Sequence, residues 1–127
     1  MHNSERWIAA ICLLGGVLLT LIGVRYFLVP ESAARTFGVP GRPAGYELHY
    51  IIALRNVWLG LLAVGFALLR QWTALALWFG LGAFVCFADA AIAAGSTGRW
   101  PNVTFHIACG IACIGLAAAA GRFAKGS

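Results

Sequence analysis

The chain has 127 residues, of which 61% are hydrophobic and only 10% charged, where soluble domains carry about 25% charged residues. One soluble domain of this size cannot hide that much apolar surface, whereas a bilayer can. The net charge of +5 does not indicate a nucleic-acid partner, because the basic residues sit scattered at the ends of apolar runs and form no stripe.

Four apolar runs, 7–29, 48–69, 72–94 and 103–121, each approach the length that crosses a membrane. In lipid the backbone has to satisfy its own hydrogen bonds, and the runs lack the polar alternation of barrel strands, so helices are expected. The expected fold is all-α: an integral membrane four-helix transmembrane bundle, a single domain over 1–127 with both termini on the same side. The first run follows Arg6 and is longer than the apolar region of a signal peptide, about 7–15 residues, so it reads as an uncleaved span. The loop after it holds Pro30, Pro40 and Pro43 with Gly38, Gly41 and Gly45, which break regular helix. Within it Glu31-Ser32-Ala33-Ala34-Arg35 is expected to form a helical turn lying on the membrane and capping the loop side.

The second run contains Arg55. From Asn56 to Leu69 there are only fourteen residues, roughly 21 Å of helix, against a hydrocarbon core of about 30 Å. The span therefore begins upstream and carries Arg55 inside the membrane, at a cost of at least about 2.5 kcal/mol unless a partner or a wet cavity receives it. The turn at Arg70-Gln71 is so short that the second and third spans are expected to form a tight antiparallel hairpin. Sixteen glycines favour close helix approach, the usual use of small residues in membrane bundles. Cys12, Cys86, Cys109 and Cys113 all fall inside apolar runs with no C-x-x-C pair, so they read as small hydrophobes and not as a zinc site, a disulfide or a thiol oxidoreductase centre. Trp7 and Trp72 are expected at the interface on the terminal side, and Trp100, Tyr26, Tyr46 and Tyr50 on the loop side. The terminal side holds Arg6, Arg70, Arg122 and Lys125; the loop side holds Arg35, Arg42 and Arg99, with Arg25 at its border. By the positive-inside rule, the expected location is the bacterial inner membrane with cytoplasmic termini.

Counting residues from the loop side places Arg25, Arg55, Asp89 and His106 within roughly 6–12 Å of it, each on a different span. The terminal half of the membrane has no ionisable residue in any span except cysteine. On the fourth span Asn102, His106, Cys109 and Cys113 share one stripe; His49 and Asn56 share a face of the second, and Gly82, Cys86 and Asp89 a face of the third. A bundle that turns these faces inward makes a polar pocket open toward the loop side. There His106 would move protons, Asp89 would orient it or act as a base, and Arg55 and Arg25 would grip an anionic or carbonyl oxygen. Tyr50, Asn56, His49 and Asn102 complete the candidate ligand-binding set. The blander alternatives are an Arg55–Asp89 pair that only locks two helices, an Arg25 that reaches the headgroups and a satisfied core His106.

The stretch Gly23-Val24-Arg25-Tyr26-Phe27-Leu28-Val29-Pro30-Glu31, followed by Phe37-Gly38-Val39-Pro40, resembles the opening of a family of small four-span membrane proteins, domain of unknown function 4267. Arg55-Asn56-Val57-Trp58-Leu59-Gly60 resembles that family's second-span motif, an arginine with a glycine five residues on. Asp89 and His106 match its acidic position late in the third span and its histidine early in the fourth. The resemblance implies an integral membrane protein and brings no assigned activity. Small multidrug transporters resemble the chain in size but need a glutamate in the first span, which here holds only Arg25. Fluoride channels resemble it in size too, but their polar helix break in the third span is missing.

The functional expectation is a pocket that binds a small lipophilic compound from the bilayer and converts it by acid–base chemistry. The alternatives are a proton-coupled transporter built on Asp89, as a homo-oligomer, and an accessory membrane subunit. No cofactor is expected; haem held by His49 and His106 is the weaker alternative.

Overall fold

The structure is a computed structural model that describes residues 2–40 and 45–126. Arg42, Gly41 and Pro43, part of the loop reading above, lie outside the described residues. Among the described residues five helices follow one another: α1 Asn3–Leu28, α2 Pro30–Phe37, α3 Glu47–Leu68, α4 Trp72–Ser96 and α5 Trp100–Ala124. The four long helices have 26, 22, 25 and 25 residues and the hydropathy of membrane spans. At about 1.5 Å per residue each exceeds the roughly 30 Å of a hydrocarbon core. Large apolar side chains cover their outer surfaces, with Leu14 66%, Leu81 70% and Phe84 76% exposed, as expected of helices that face lipid.

The packing is two antiparallel pairs, α1 with α3 and α4 with α5. Glycine decides the first pair. A Cβ built on Gly16 would lie 2.8 Å from the Gly60 carbonyl oxygen, and one on Gly23 would lie 2.8 Å from the Ala53 carbonyl oxygen. Backbone therefore touches backbone along this seam, and no side chain fits between. Ala53, Gly60, Ala63 and Ala67 continue the small-residue face of α3. In the second pair Gly110 takes the ring of Phe87, 2.8 Å from where a Cβ would stand.

This arrangement corrects the expected hairpin of the second and third spans. α3 and α4 do follow a tight turn, in which Arg70 adopts φ 54° and its N–H donates to the Ala67 carbonyl while the Gln71 N–H donates to that of Phe66. These two bonds are the usual left-handed helix terminator, and Glu5 lies 3.7 Å from the Arg70 guanidinium. Beyond the turn α3 and α4 diverge, because the glycine seam commits α3 to α1. The two pairs meet at the terminal end around Cys12, Ala67, Trp72, Leu75, Phe79 and Ala120. Ile8 and Ala9 near the start of α1 and Phe123 and Ala124 at the end of α5 pack against this cluster. Trp72, expected as an interfacial ring, is instead 7% exposed and packs on Phe123 with ring centroids 4.9 Å apart, because it opens α4 beneath the turn and faces the core. Tyr26 is likewise buried, at 4% exposed, whereas Trp7 and Trp100 are open at 70% and 73%.

At the opposite end the pairs are joined by α2. Pro30 sets its first turn, where the missing N–H costs nothing, and Gly38 ends it at φ 109°. Eight residues do not sustain a helix alone. Its last carbonyls, which no later turn can satisfy, are taken by the other pair. Asn102 Nδ2 donates to the Arg35 carbonyl at 2.9 Å, His106 Nε2 lies 2.8 Å from that of Phe37, and Thr97 Oγ1 donates to that of Gly38 at 2.9 Å. Ala33 packs with Tyr26 and Ala53 on the first pair. The expected helical turn over 31–35 is thus a full helix that caps the loop end and stitches the two pairs together.

Candidate functional site at the loop end

Beneath α2 each spanning helix contributes one polar side chain. α1 supplies Tyr26, α3 His49, α4 Asp89 and α5 His106. Asp89 lies within electrostatic range of both His106 and Tyr26. Tyr26 stacks obliquely on His49 at 6.1 Å between centroids, and Tyr46 meets His49 edge-on at 5.9 Å. The Tyr46 hydroxyl donates to Glu31 Oε1 at 2.5 Å, which ties this ring to α2.

The two histidines are in different states. His106 is 6% exposed, and its Nε2 has to carry the proton it donates to the Phe37 carbonyl, leaving Nδ1 as the acceptor in the neutral ring. The Phe37 ring closes over it at 4.5 Å. His106 therefore acts first as a clasp on α2, and haem ligation through its Nε2 would require breaking that bond. His49 is 8% exposed, yet its Nδ1 is buried with no hydrogen-bond partner among the described residues. An unmet buried polar group costs about 1–3 kcal/mol, so a ring nitrogen in this state is available to a ligand.

The other candidate residues divide. Arg25 is exposed and turns to α2, where its Nη2 donates to Ser32 Oγ at 3.0 Å. Asn102 is spent on the Arg35 carbonyl. Tyr50 is 44% exposed and stacks on Phe27 at 6.0 Å. Asn56 is half-buried on α3. Arg55 is exposed, and the ion pairs among the described residues join Arg35 to Glu31 and Arg70 to Glu5. The expected meeting of Arg55 with Asp89 is not found. α3 turns residues 53, 57 and 60 to the glycine seam, and at 100° per residue position 55 falls on the far side of the helix. The cavities beside α2 differ from expectation as well. One of about 400 Å³ is lined by Ser32, Arg35, Thr36, Arg99, Pro101 and Asn102; another of about 310 Å³ is lined by Val29 to Ser32, Arg35 and Tyr46. Both open outward along α2, and neither is lined by Arg55, Asp89 or His106.

One contact had no motif to announce it. The thiols of Cys86 on α4 and Cys113 on α5 lie within interaction range of each other, with Cys109 near Cys86. The signal available in sequence is the shared stripe of Asn102, His106, Cys109 and Cys113, which packs against α2 at its start and α4 further on.

A capped bundle of four apolar spans with polar groups gathered at one end defines a small multi-pass membrane protein. The chain belongs to the family described as domain of unknown function (DUF4267), whose model matches residues 16–120 and so takes in all these site residues. No curated protein and no solved structure matches it.

Proposed function

We propose that the loop-end cluster binds a small lipophilic compound carrying a hydroxyl or carbonyl group, with His49 and Asp89 as its polar contacts and its acid–base pair. The observation that supports this is the buried Nδ1 of His49, without a hydrogen-bond partner among the described residues, in a ring that contacts Tyr26 and Tyr46, with Asp89 in range of Tyr26. A group that already holds α2, as His106 does, is less free to exchange protons than one whose nitrogen is unmet. A transport path is the poorer reading, since Cys12, Leu75, Phe79 and Ala120 close the terminal end with apolar side chains. Organic extraction of protein purified in mild detergent, followed by mass spectrometry, tests the proposal. Wild type should release a discrete compound near equimolar amount; His49→Phe and Asp89→Asn should lose it while keeping wild-type helical circular dichroism. Wild-type protein that yields only bulk lipid would end this reading.

The proposal places the terminal end on the cytoplasmic face of a bacterial inner membrane, in keeping with Arg6, Arg70, Arg122 and Lys125 at that end. A green fluorescent protein fused after Ser127 should fluoresce, and an alkaline phosphatase fused there should stay inactive. The opposite pattern reverses the orientation.

A further inference from the structure

Outside the cluster, the flank of α2 that faces the start of α5 forms an open cavity of about 400 Å³. Arg35 from α2 and Arg99 from the residue before α5 both line it, together with the hydroxyl-bearing Ser32 and Thr36, and no carboxylate does. We propose that this cavity is a binding site for a phosphate group, gripped between the guanidinium groups of Arg35 and Arg99.

The existing bonds leave the required donors in place. Arg35 touches Glu31 through Nη1 alone, at 3.8 Å and on an exposed flank, so most of its five N–H donors remain unspent. Arg99 is exposed and joins no ion pair among the described residues. Ser32 Oγ accepts from Arg25 Nη2, which brings a third guanidinium to the rim and leaves the serine proton free to donate. Thr36 already donates its hydroxyl to the Ser32 carbonyl, and Asn102 commits one of its two amide N–H donors to the Arg35 carbonyl. Two planar forks from separate elements lining one cavity suit a tetrahedral oxyanion, which each can bind in bidentate fashion.

Position narrows the ligand. The cavity lies where α5 enters the membrane, beside Trp100, which is 73% exposed and of the type that settles at headgroup depth. A phospholipid phosphate reaches this level from the bilayer, and a soluble phosphate or phosphate ester reaches it from water. The shared chemistry is the phosphoryl oxyanion. The inference does not depend on His49 or Asp89.

Native mass spectrometry of delipidated full-length protein tests it, with phosphatidylglycerol, phosphatidylcholine and inorganic phosphate as separate probes. Phosphatidylglycerol should be retained preferentially over phosphatidylcholine, and the double variant Arg35→Gln/Arg99→Gln should retain about tenfold less, the fold-change that losing a charge-assisted hydrogen bond implies. Arg35→Lys/Arg99→Lys should keep part of the binding, and Arg122→Gln at the far end should keep all of it. If inorganic phosphate binds alone or displaces the lipid, the ligand is the soluble form; if it does neither while the lipid binds, the ligand is the headgroup. Either result supports the site when it depends on the two arginines. Equal binding of every probe by wild type and by the glutamine and lysine double variants overturns it.

Discussion

Replacing Gly60 with leucine is expected to break the α1–α3 pair and with it the fold. The built Cβ already lies 2.6 Å from the Gly16 carbonyl oxygen and 2.6 Å from the Thr20 nitrogen. These are backbone atoms of a helix, and neither can turn aside as a side chain would. A whole isobutyl group would force the helices apart along the seam that also seats Gly23 on Ala53 and Val57. Overpacking usually costs about 1–3 kcal/mol, and a clash with rigid backbone belongs at or above the top of that range. The measurement is the unfolding midpoint in a denaturing-detergent titration followed by circular dichroism. Gly65→Leu is the control: a Cβ there meets nothing within 4 Å, so its effect should stay within about 0.5 kcal/mol. Equal midpoints for Gly60→Leu and wild type would show that the seam is not the packing that holds the bundle.

The second large effect is expected at His106, and it should be local. His106→Leu removes the donor from the Phe37 carbonyl and leaves that half-buried acceptor without its partner, at a cost of about 1–2 kcal/mol. α2 is too short to absorb the loss within itself. It should detach from the second pair while α1, α3, α4 and α5 remain helical. Amide hydrogen exchange over 33–38 should accelerate about tenfold, the factor that corresponds to 1.4 kcal/mol. Thr97→Val, which removes the donor from the Gly38 carbonyl, should act in the same direction. Unchanged exchange in His106→Leu would mean that α2 is held by its alanines alone.

Depth was readable from the chain, and direction around each helix was not. Counting residues from the loop side put Arg25, Asp89 and His106 at one end, where they are found. It assigned Arg55 the same depth. Whether Arg55 faced inward depended on which neighbour α3 chose, and a tight turn at Arg70 suggested α4. The deciding contacts were Gly16 with Gly60 and Gly23 with Ala53, sites far apart in the chain and unmarked by any local pattern. Sixteen glycines announced close approach without saying between which helices. Pro30 announced the start of α2, but its length rests on Thr97, Asn102 and His106, whose donors are supplied across the bundle. The pairing of Cys86 with Cys113 was hidden for a related reason: the two thiols belong to antiparallel helices, and their register is fixed only once Phe87 seats on Gly110. His49 stood out as a titratable residue, whereas its enclosure depends on Tyr26 and Tyr46 arriving from separate segments.

The choice of α3 as the partner of α1 also bears on how the chain is made. Gly23 and Ala53 are thirty residues apart, and a ribosome adds about 5–20 residues per second. For some seconds, then, the first helix resides in the bilayer with its groove filled by acyl chains, until the matching stretch emerges and displaces them. The last two helices wait about as long, since Phe87 and Gly110 are twenty-three residues apart. The two halves therefore assemble in turn, and α2 can lock only when the nascent chain has passed His106.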